Sequence, residues 1–448
     1  MKAFKAYDIR GIYNVDFNKE DVYKIGFFLR KVLNTDKILV GYDARLSTPE
    51  IFEYLCKGIT DSGVDVYNIG LSTTPMVYYL TAAHNFKASV QITASHNPKE
   101  YNGLKVSREN AIPVGYDTGL NLVEKMMNEE EVVISENRGQ IINFDHRQEY
   151  LDFLKSYAQD ISNLNVSVDC SNGMASLLVK DIWGEDISYI YDEIDGTFPN
   201  HEPNPLEEEN VEDLKKLVLE NSSDVGVIFD GDADRVMFVD EKANFIRPDL
   251  MIAVMAKYFL KGENKNATVI QDIRTSKSVS EYVESLGGKV HMWRVGRAFA
   301  AIRLREIDGL FGGELAGHYY FKDFFYSDSG ILAAIIMLNI ISELKKEGKT
   351  LSQLISEIDT YSNSGEINFK LEKKQEAIDA VVKHFTKDEK PSAIFDFDGY
   401  RVEFRDWWFN IRPSNTEPYL RLIAEAKSDE ILNKNLSEIK NIIAKFAD

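Results

Sequence analysis

The sequence predicts an α/β protein in which three related α/β domains with mixed, largely parallel sheets precede a C-terminal α+β domain with an antiparallel sheet. Three observations predict it. The chain has 448 residues, room for three or four domains at ~100–150 residues each. Short apolar runs followed by helical periodicity recur through roughly the first 350 residues, the rhythm of parallel strands and crossover helices. Beyond them the strands alternate apolar and charged residues, as one-sided antiparallel sheets do.

Taken in order, Lys37–Tyr42 reads as a strand, and Ser47-Thr48-Pro49-Glu50 opens a helix with a hydroxyl cap and an early proline. Val64–Ile69 and Ala88–Ile92 are the next strands. A second block starts near Asn165, with Val166–Val168 as strand, Asn172-Gly173 as turn, and a strand running to Asp230. The third starts near Pro248 with a helix to about Leu260. It continues with a strand over Ala267–Gln271, a helix closed by Gly287-Gly288, a strand over Lys289–Trp293 and a helix from Ala298. Asp328-Ser329-Gly330 then begins a long amphipathic helix ending in Lys345-Lys346. In the last block Tyr400–Phe404 and Tyr419–Glu425 are strands and Ile431–Phe446 is helical, giving a sheet covered by helices on one side. The expected domains are 1–145, 146–246, 247–363 and 364–448, with a hinge near Tyr361–Gly365.

Hydrophobic content of 44% with 28% charged residues is that of an ordinary soluble globular protein. A net charge of −20 argues against nucleic acid and anionic membrane as partners. An anionic substrate would therefore need a locally basic cleft, a task for Arg10, Lys105, Arg235, Arg412 and Arg421. Cys56 and Cys170 are too few for a disulfide framework, which points to a reducing cytosol. Met1–Lys5 lacks a signal-peptide core, and the longest apolar run, Ile331–Leu338, falls far short of the ~20 residues of a membrane span. The expectation is a soluble cytoplasmic protein; the sequence carries no signal for an oligomeric state.

Four stretches carry chemistry. In Thr93-Ala94-Ser95-His96-Asn97-Pro98 a strand stops at a turn, leaving a hydroxyl at its tip among polar groups. Alone it would read as a serine in an Asn-Pro turn. Asp230-Gly231-Asp232-Ala233-Asp234-Arg235 follows an apolar strand with three carboxylates at spacing two, an oxygen-rich set for a hard divalent cation. Without a cation the three would repel. An EF-hand loop is excluded because its sixth place requires glycine and here holds Arg235; a solvated acidic turn is the plainer alternative. Gly313-Glu314-Leu315-Ala316-Gly317-His318 offers one carboxylate and one imidazole in a glycine-framed loop, suited to a polyol and equally compatible with ordinary surface chemistry. Arg412-Pro413-Ser414-Asn415-Thr416-Glu417-Pro418, with Arg421 beyond, can surround a phosphate with donors or simply make a well-capped turn.

Together the four resemble, over essentially the whole chain, the α-D-phosphohexomutase superfamily, in particular its phosphomannomutase/phosphoglucomutase group. Tyr7-Asp8-Ile9-Arg10-Gly11 and Asp195-Gly196-Thr197-Phe198-Pro199-Asn200-His201 are also similar to signatures of that family. The resemblance implies four domains around a central cleft and a Mg²⁺-dependent isomerase interconverting mannose 6-phosphate and mannose 1-phosphate, and acting on glucose phosphates as well. It implies that Ser95 carries a phosphoryl group, gives it to the bound sugar phosphate, and recovers the other phosphate from a hexose 1,6-bisphosphate intermediate. Ser95, Asp230, Asp232 and Asp234 would hold the Mg²⁺. Lys105 would be the acid/base, with a lowered pKa expected from the neighbouring metal and guanidinium groups, and His96 and Arg10 would position the phosphoserine. Arg235, Arg274, Glu314, His318, Arg412, Ser414, Asn415, Thr416 and Arg421 would bind the hexose phosphate. The metal loop is expected at a cleft surface.

Two departures stand out: Ala316 where the family commonly has Ser, and Arg297 where it often has His. A phosphoglucosamine mutase or a glucose-specific phosphoglucomutase is the nearest alternative. A catalytically silent sugar-phosphate-binding protein is the alternative from another class, opposed by the joint presence of Ser95, Lys105 and the three aspartates.

Overall fold

The computed structural model describes residues 1–414 and 419–446. The first sheet has six strands in the order Ile9–Ile12, Tyr101–Arg108, Ala88–Ile92, Lys37–Tyr42, Asp65–Leu71, Ile141–Asn143. Its last four are mutually parallel, and Tyr101–Arg108 returns antiparallel beside Ala88–Ile92. The second sheet repeats the scheme. Val166–Asp169 lies parallel to Ser188–Ile190 and Val225–Phe229, and Val236–Asp240 closes an antiparallel hairpin with the latter. In the third, Thr268–Asp272 is parallel to both Lys289–Trp293 and Phe311–Gly313, and Tyr319–Phe321 folds back antiparallel on Phe311–Gly313. The fourth sheet has six strands, all paired antiparallel.

A parallel core with one added antiparallel hairpin thus occurs three times. Parallel strands need crossover helices, whereas a hairpin needs only a short turn. That turn is the Ser95 loop in the first sheet, the Asp230–Arg235 loop in the second and the Glu314–His318 loop in the third. In the fourth sheet the strands Trp407–Pro413 and Tyr419–Ala426 flank the Arg412–Pro418 motif.

Several local expectations need correction. The helix Thr48–Asp61 starts with Pro49 as foreseen, but the Ser47 hydroxyl caps nothing; its oxygen accepts from Asn102 Nδ2 at 2.9 Å. The helix Gly330–Lys346 is not amphipathic: 14 of its 17 residues are buried. It runs through the largest apolar core, which takes in Tyr78 of the first block, Val227 and Phe229 of the second and Phe311 of the third. A helix that is apolar nearly all round belongs in such a place. Nor does the polar face of the C-terminal sheet meet water. Arg401, Trp408 and Glu425 on that face are fully buried. Arg401 Nη1 donates to the carbonyls of Ile273 and Thr275 at 2.9 and 2.6 Å, and Glu425 Oε2 accepts the Lys277 N–H at 3.1 Å. The face is polar because it satisfies backbone groups of the third domain.

Candidate active site

One cavity is lined by all four domains: Tyr7, Asp8, Arg10 and Lys105 from the first, Asp234 and Arg235 from the second, Arg274, Gly296, Arg297, Glu314, Ala316 and His318 from the third, and Arg412, Ser414 and Arg421 from the last. Ser95, Asp230 and Asp232 lie beneath its wall, 0–1% exposed. The metal loop thus reaches the cleft through Asp234 and Arg235, with its other two carboxylates buried behind the wall. Asn415 and Thr416 lie outside the described residues.

Ser95 sits at φ +53°, the left-handed region that a non-glycine residue occupies only when its surroundings impose it. Its N–H donates to Thr93 Oγ1 at 2.9 Å and its hydroxyl to Asp230 Oδ2 at 2.7 Å. His96 Nδ1 stands 3.4 Å from the same hydroxyl. Burial, reinforced by Arg235, Arg10 and Lys105, drives the His96 pKa well below its ordinary value, so the ring is neutral. Gly231 permits this meeting of two domains: a Cβ there would fall 2.6 Å from the Ser95 carbonyl oxygen.

What imposes the Ser95 conformation is a residue that sequence reasoning missed. Arg45 has a fully buried side chain. Its Nη2 donates to the carbonyls of Ser95 and Asn97 at 2.8 and 2.7 Å, and Nη1 to those of Pro98 and Tyr101 at 2.6 and 3.0 Å. Nε pairs with Asp43 at 3.1 Å, and the guanidinium lies 5.0 Å from the Phe198 ring centre, in the second of the similar signatures. The available signal was Asp43-Ala44-Arg45 directly after a buried strand.

The three aspartates can hold a cation. Asp230, Asp232 and Asp234 converge with ligand oxygens all within 4.8 Å of one another. Asp232 Oδ1 and Asp234 Oδ1 are buried carboxylate oxygens that accept no hydrogen bond among the described residues. Two such oxygens beside a third carboxylate are costly unless a cation takes them. Burial and then the charges of Asp232 and Asp234 raise the Asp230 pKa well above the carboxylate range. Lys105 Nζ reaches Asp232 Oδ2 at 2.6 Å and also bonds Asp234, while the Thr74 hydroxyl donates to Asp232. Without a metal, burial pulls the Lys105 pKa down, but Asp232 and Asp234 together outweigh burial and raise it.

On the third domain, Glu314 accepts the Gly296 N–H at 2.6 Å and the Tyr320 hydroxyl at 2.8 Å, one on each oxygen. His318 Nε2 accepts from Arg235 Nε at 3.0 Å, and its Nδ1 lies 2.6 Å from Asp328 Oδ2. That sets the proton on Nδ1. Asp328 also takes Arg297 Nε at 2.7 Å, with the Arg297 guanidinium 3.8 Å from the Tyr78 ring centre. Arg274 makes a two-point contact with Asp272 at 3.1 and 2.8 Å. Arg421 Nη1 donates to Glu366 at 3.0 Å, and Arg412 Nη1 lies 3.8 Å from Asp398, whose other oxygen accepts the Val295 N–H at 2.8 Å. The predicted residues within the described chain are thus assembled around one cavity. Tyr7, Asp8, Asp272, Asp328 and Asp398 join them.

Such an assembly of hydroxyl, carboxylates and guanidinium groups suits phosphoryl transfer on a polyol. Comparison with known proteins agrees. Four family models match in order: phosphoglucomutase/phosphomannomutase α/β/α domain I over residues 1–133, domain II over 148–243, domain III over 247–361, and the C-terminal domain over 366–442. A phosphomannomutase of Methanocaldococcus jannaschii is 36% identical, covering 100% of this chain and 98% of its own. One from Escherichia coli K12 is 35% identical, with 96% of each covered. The crystal structure of a phosphoglucomutase/phosphomannomutase family protein from Burkholderia thailandensis superposes with a TM-score of 0.87 at 27% identity over 99% of this chain and 97% of that one. An N-acetylphosphoglucosamine mutase from Aspergillus fumigatus, in complex with GlcNAc-6P and magnesium, shares the fold at 13% identity and a TM-score of 0.64, covering 100% of this chain and 96% of its own. With the cavity built from the same four domains that these models describe, the chain belongs to the phosphoglucomutase/phosphomannomutase family and is a phosphohexomutase, an isomerase of hexose phosphates.

Proposed function

We propose that the protein interconverts mannose 6-phosphate and mannose 1-phosphate, and turns over glucose phosphates as well, by way of phosphorylated Ser95 and a hexose 1,6-bisphosphate. The observation that carries this reading is the Ser95 hydroxyl, 2.7 Å from one of three converging carboxylates and held there in a left-handed turn. The phosphomannomutase relatives at 35–36% identity support the mannose preference.

In the first half-reaction the bond from phosphorus to Ser95 Oγ breaks as a bond to the free sugar hydroxyl forms. The hydroxyl proton leaves and Ser95 Oγ ends protonated. The bisphosphate then turns over in the cavity and returns its other phosphoryl group to Ser95 by the reverse step. Lys105 lines the cavity beside Asp234 and is the group we assign to move the proton. Arg235 adds a fixed positive charge at the reacting end, where Arg10, bonded to Asn97 at 2.9 Å, also stands. Arg274, Arg412, Ser414 and Arg421, with Asn415 and Thr416 of the same motif, would take the non-reacting phosphate. Glu314 and His318 would face the sugar ring. Magnesium held by Ser95, Asp230, Asp232 and Asp234 would neutralise phosphoryl and carboxylate charge together and thereby ease proton loss from Lys105.

The test is direct. Intact mass of the purified protein should show a phosphate adduct that phosphatase removes and Ser95→Ala lacks, and that variant should have no measurable mutase turnover. Normal turnover by Ser95→Ala would overturn the mechanism.

A further inference from the structure

A second cluster of ligating groups lies away from the cavity. His84, His146 and Glu149 bring three ligand atoms within 4.8 Å of one another. His84 Nε2 and His146 Nδ1 both stand 2.9 Å from the same atom, Glu149 Oε2. The two imidazole rings are 4.6 Å apart and pack against Phe144, at 5.0 Å from His84 and 4.0 Å from His146.

The backbone holds all three residues. His84 ends the helix Thr74–Ala83 of the first domain. His146 precedes the helix Arg147–Lys155 and Glu149 lies in its first turn, so those two are fixed relative to each other. The side chains are 28–38% exposed, open to ions from solvent but stacked well enough to be oriented.

A surface His–Glu pair gains little on its own. Two imidazoles on one carboxylate oxygen gain less than twice that, because the rings repel when both are protonated. The arrangement makes better sense as a ligand set. Two imidazole nitrogens and a carboxylate oxygen, with a fourth position left to water, is a set that suits Zn²⁺. Ligand atoms about a tetrahedral zinc are roughly 3.3 Å apart, given bonds of ~2.0–2.1 Å. The 2.9 Å separations here need to open by only a few tenths of an ångström, within reach of small side-chain rotations. Hard Mg²⁺ prefers an oxygen shell and would leave this set for the three aspartates.

We propose that His84, His146 and Glu149 form a zinc site that ties the first domain to the segment entering the second. The helix Arg147–Lys155 sends Tyr150, Leu151 and Leu154 into the shared core, and Ser95 must meet Asp230 across the same pair of domains. A bound ion there restrains the relative placement on which the 2.7 Å contact between Ser95 and Asp230 depends.

The experiment uses the full chain, stripped with chelator and titrated with Zn²⁺ in excess Mg²⁺, which keeps the aspartate site filled. One equivalent of Zn²⁺ should bind to wild type with a rise in Tm. His84→Ala and Glu149→Gln should bind it more than about 100-fold more weakly, with no Tm response to Zn²⁺. Because a variant can misfold, Co²⁺ is added to wild type as a second measurement. A tetrahedral site with nitrogen ligands gives a visible absorption band far stronger than six-coordinate oxygen. Equal zinc binding by wild type and both variants, or no such cobalt band, would overturn the proposal.

Discussion

Arg45→Met tests whether the Ser95 loop is positioned from behind. Arg45 does not line the cavity, so it cannot touch substrate, yet it donates to four carbonyls between Ser95 and Tyr101. Methionine keeps much of the volume and removes every donor. Four carbonyls, that of Ser95 buried and the others partly buried, lose this donor, and Asp43, itself buried, loses its counter-charge. Breaking a buried ion pair by deleting one member costs about 3–5 kcal/mol, and the urea midpoint should fall accordingly. The catalytic effect follows from geometry. With its carbonyls unheld the turn relaxes from φ +53°, and a displacement of about 1 Å at a reacting atom costs on the order of 10²-fold in rate. We expect kcat with mannose 1-phosphate to drop by about that factor with KM little changed, because the phosphate and sugar contacts lie on other domains. Arg45→Lys should recover stability better than rate, since one ammonium cannot span carbonyls fanned over seven residues. The fraction of chains carrying phosphate on Ser95 separates positioning from general instability: it should fall in Arg45→Met even where the protein is fully folded. Turnover within threefold of wild type, with normal phosphorylation, would refute the reasoning.

Exhaustive chelation should abolish turnover and added Mg²⁺ restore it. Asp232→Asn should lose most activity, and, because Asp232 is fully buried beside Lys105, it should alter the urea midpoint as well. Full activity in chelator would refute the metal assignment. Asp328 is buried, which by itself raises its pKa, but Arg297 and His318 more than reverse this and hold it well below the usual range. A depressed carboxylate stabilises above its unfolded pKa near ~4 and loses that contribution as pH falls through the folded value. Asp328→Asn should therefore reduce stability at pH 7 and flatten its acid dependence below pH ~4, as read from denaturant midpoints across pH; an unchanged acid slope would contradict it. Mannose and glucose 1-phosphates should differ in kcat/KM by no more than ~10–200-fold, because Ala316 offers the sugar no hydroxyl and Glu314 and His318 are oriented by protein partners common to both substrates. A ratio near ten thousand in initial-rate assays would mean a dedicated polar contact to the 2-hydroxyl, with Arg297 the first residue to replace.

The strands bearing Ser95 and the three aspartates were legible because each is a short apolar run cut off by polar turn residues, a pattern carried by local sequence. Ala88–Ile92 and Lys289–Trp293 fall where the periodicity puts them. The polar residues of the site stood out for the same reason: carboxylates at spacing two have no use in a core. Arg45 was not legible, since an arginine after a strand is ordinarily a surface residue, and only the fold brings Ser95 to Tyr101 around its guanidinium. Neither was the burial of Gly330–Lys346. Its apolar excess was visible, but its polar residues Asn339 and Ser342 bond the Tyr157 and Asp160 carbonyls, as well as Asn163, of the second domain. The raised pKa of Lys105 needed two aspartates from another domain, which no local reading supplies.

The same separation explains how a chain of net charge −20 makes a site for an anion. Among the described residues seven cationic side chains line the cavity, Arg10, Lys105, Arg235, Arg274, Arg297, Arg412 and Arg421, against three acidic ones, Asp8, Asp234 and Glu314. Carboxylates are not missing from the region; several sit a layer behind. Asp272 holds Arg274, Asp328 holds Arg297, and Asp398 stands behind Arg412 while fixing the Val295 backbone. The first two bonds orient their guanidinium groups, and all three pairings leave other N–H groups of the fork for substrate. An arginine held this way loses little rotamer entropy when a phosphate arrives. The proposed bisphosphate, held in two opposite orientations, would benefit from donors whose direction is set by the protein, because neither orientation would then have to organise the site for itself. Acidic residues in this chain thus build its basic cleft, and removing one of those supports should weaken phosphate binding even though it removes a negative charge.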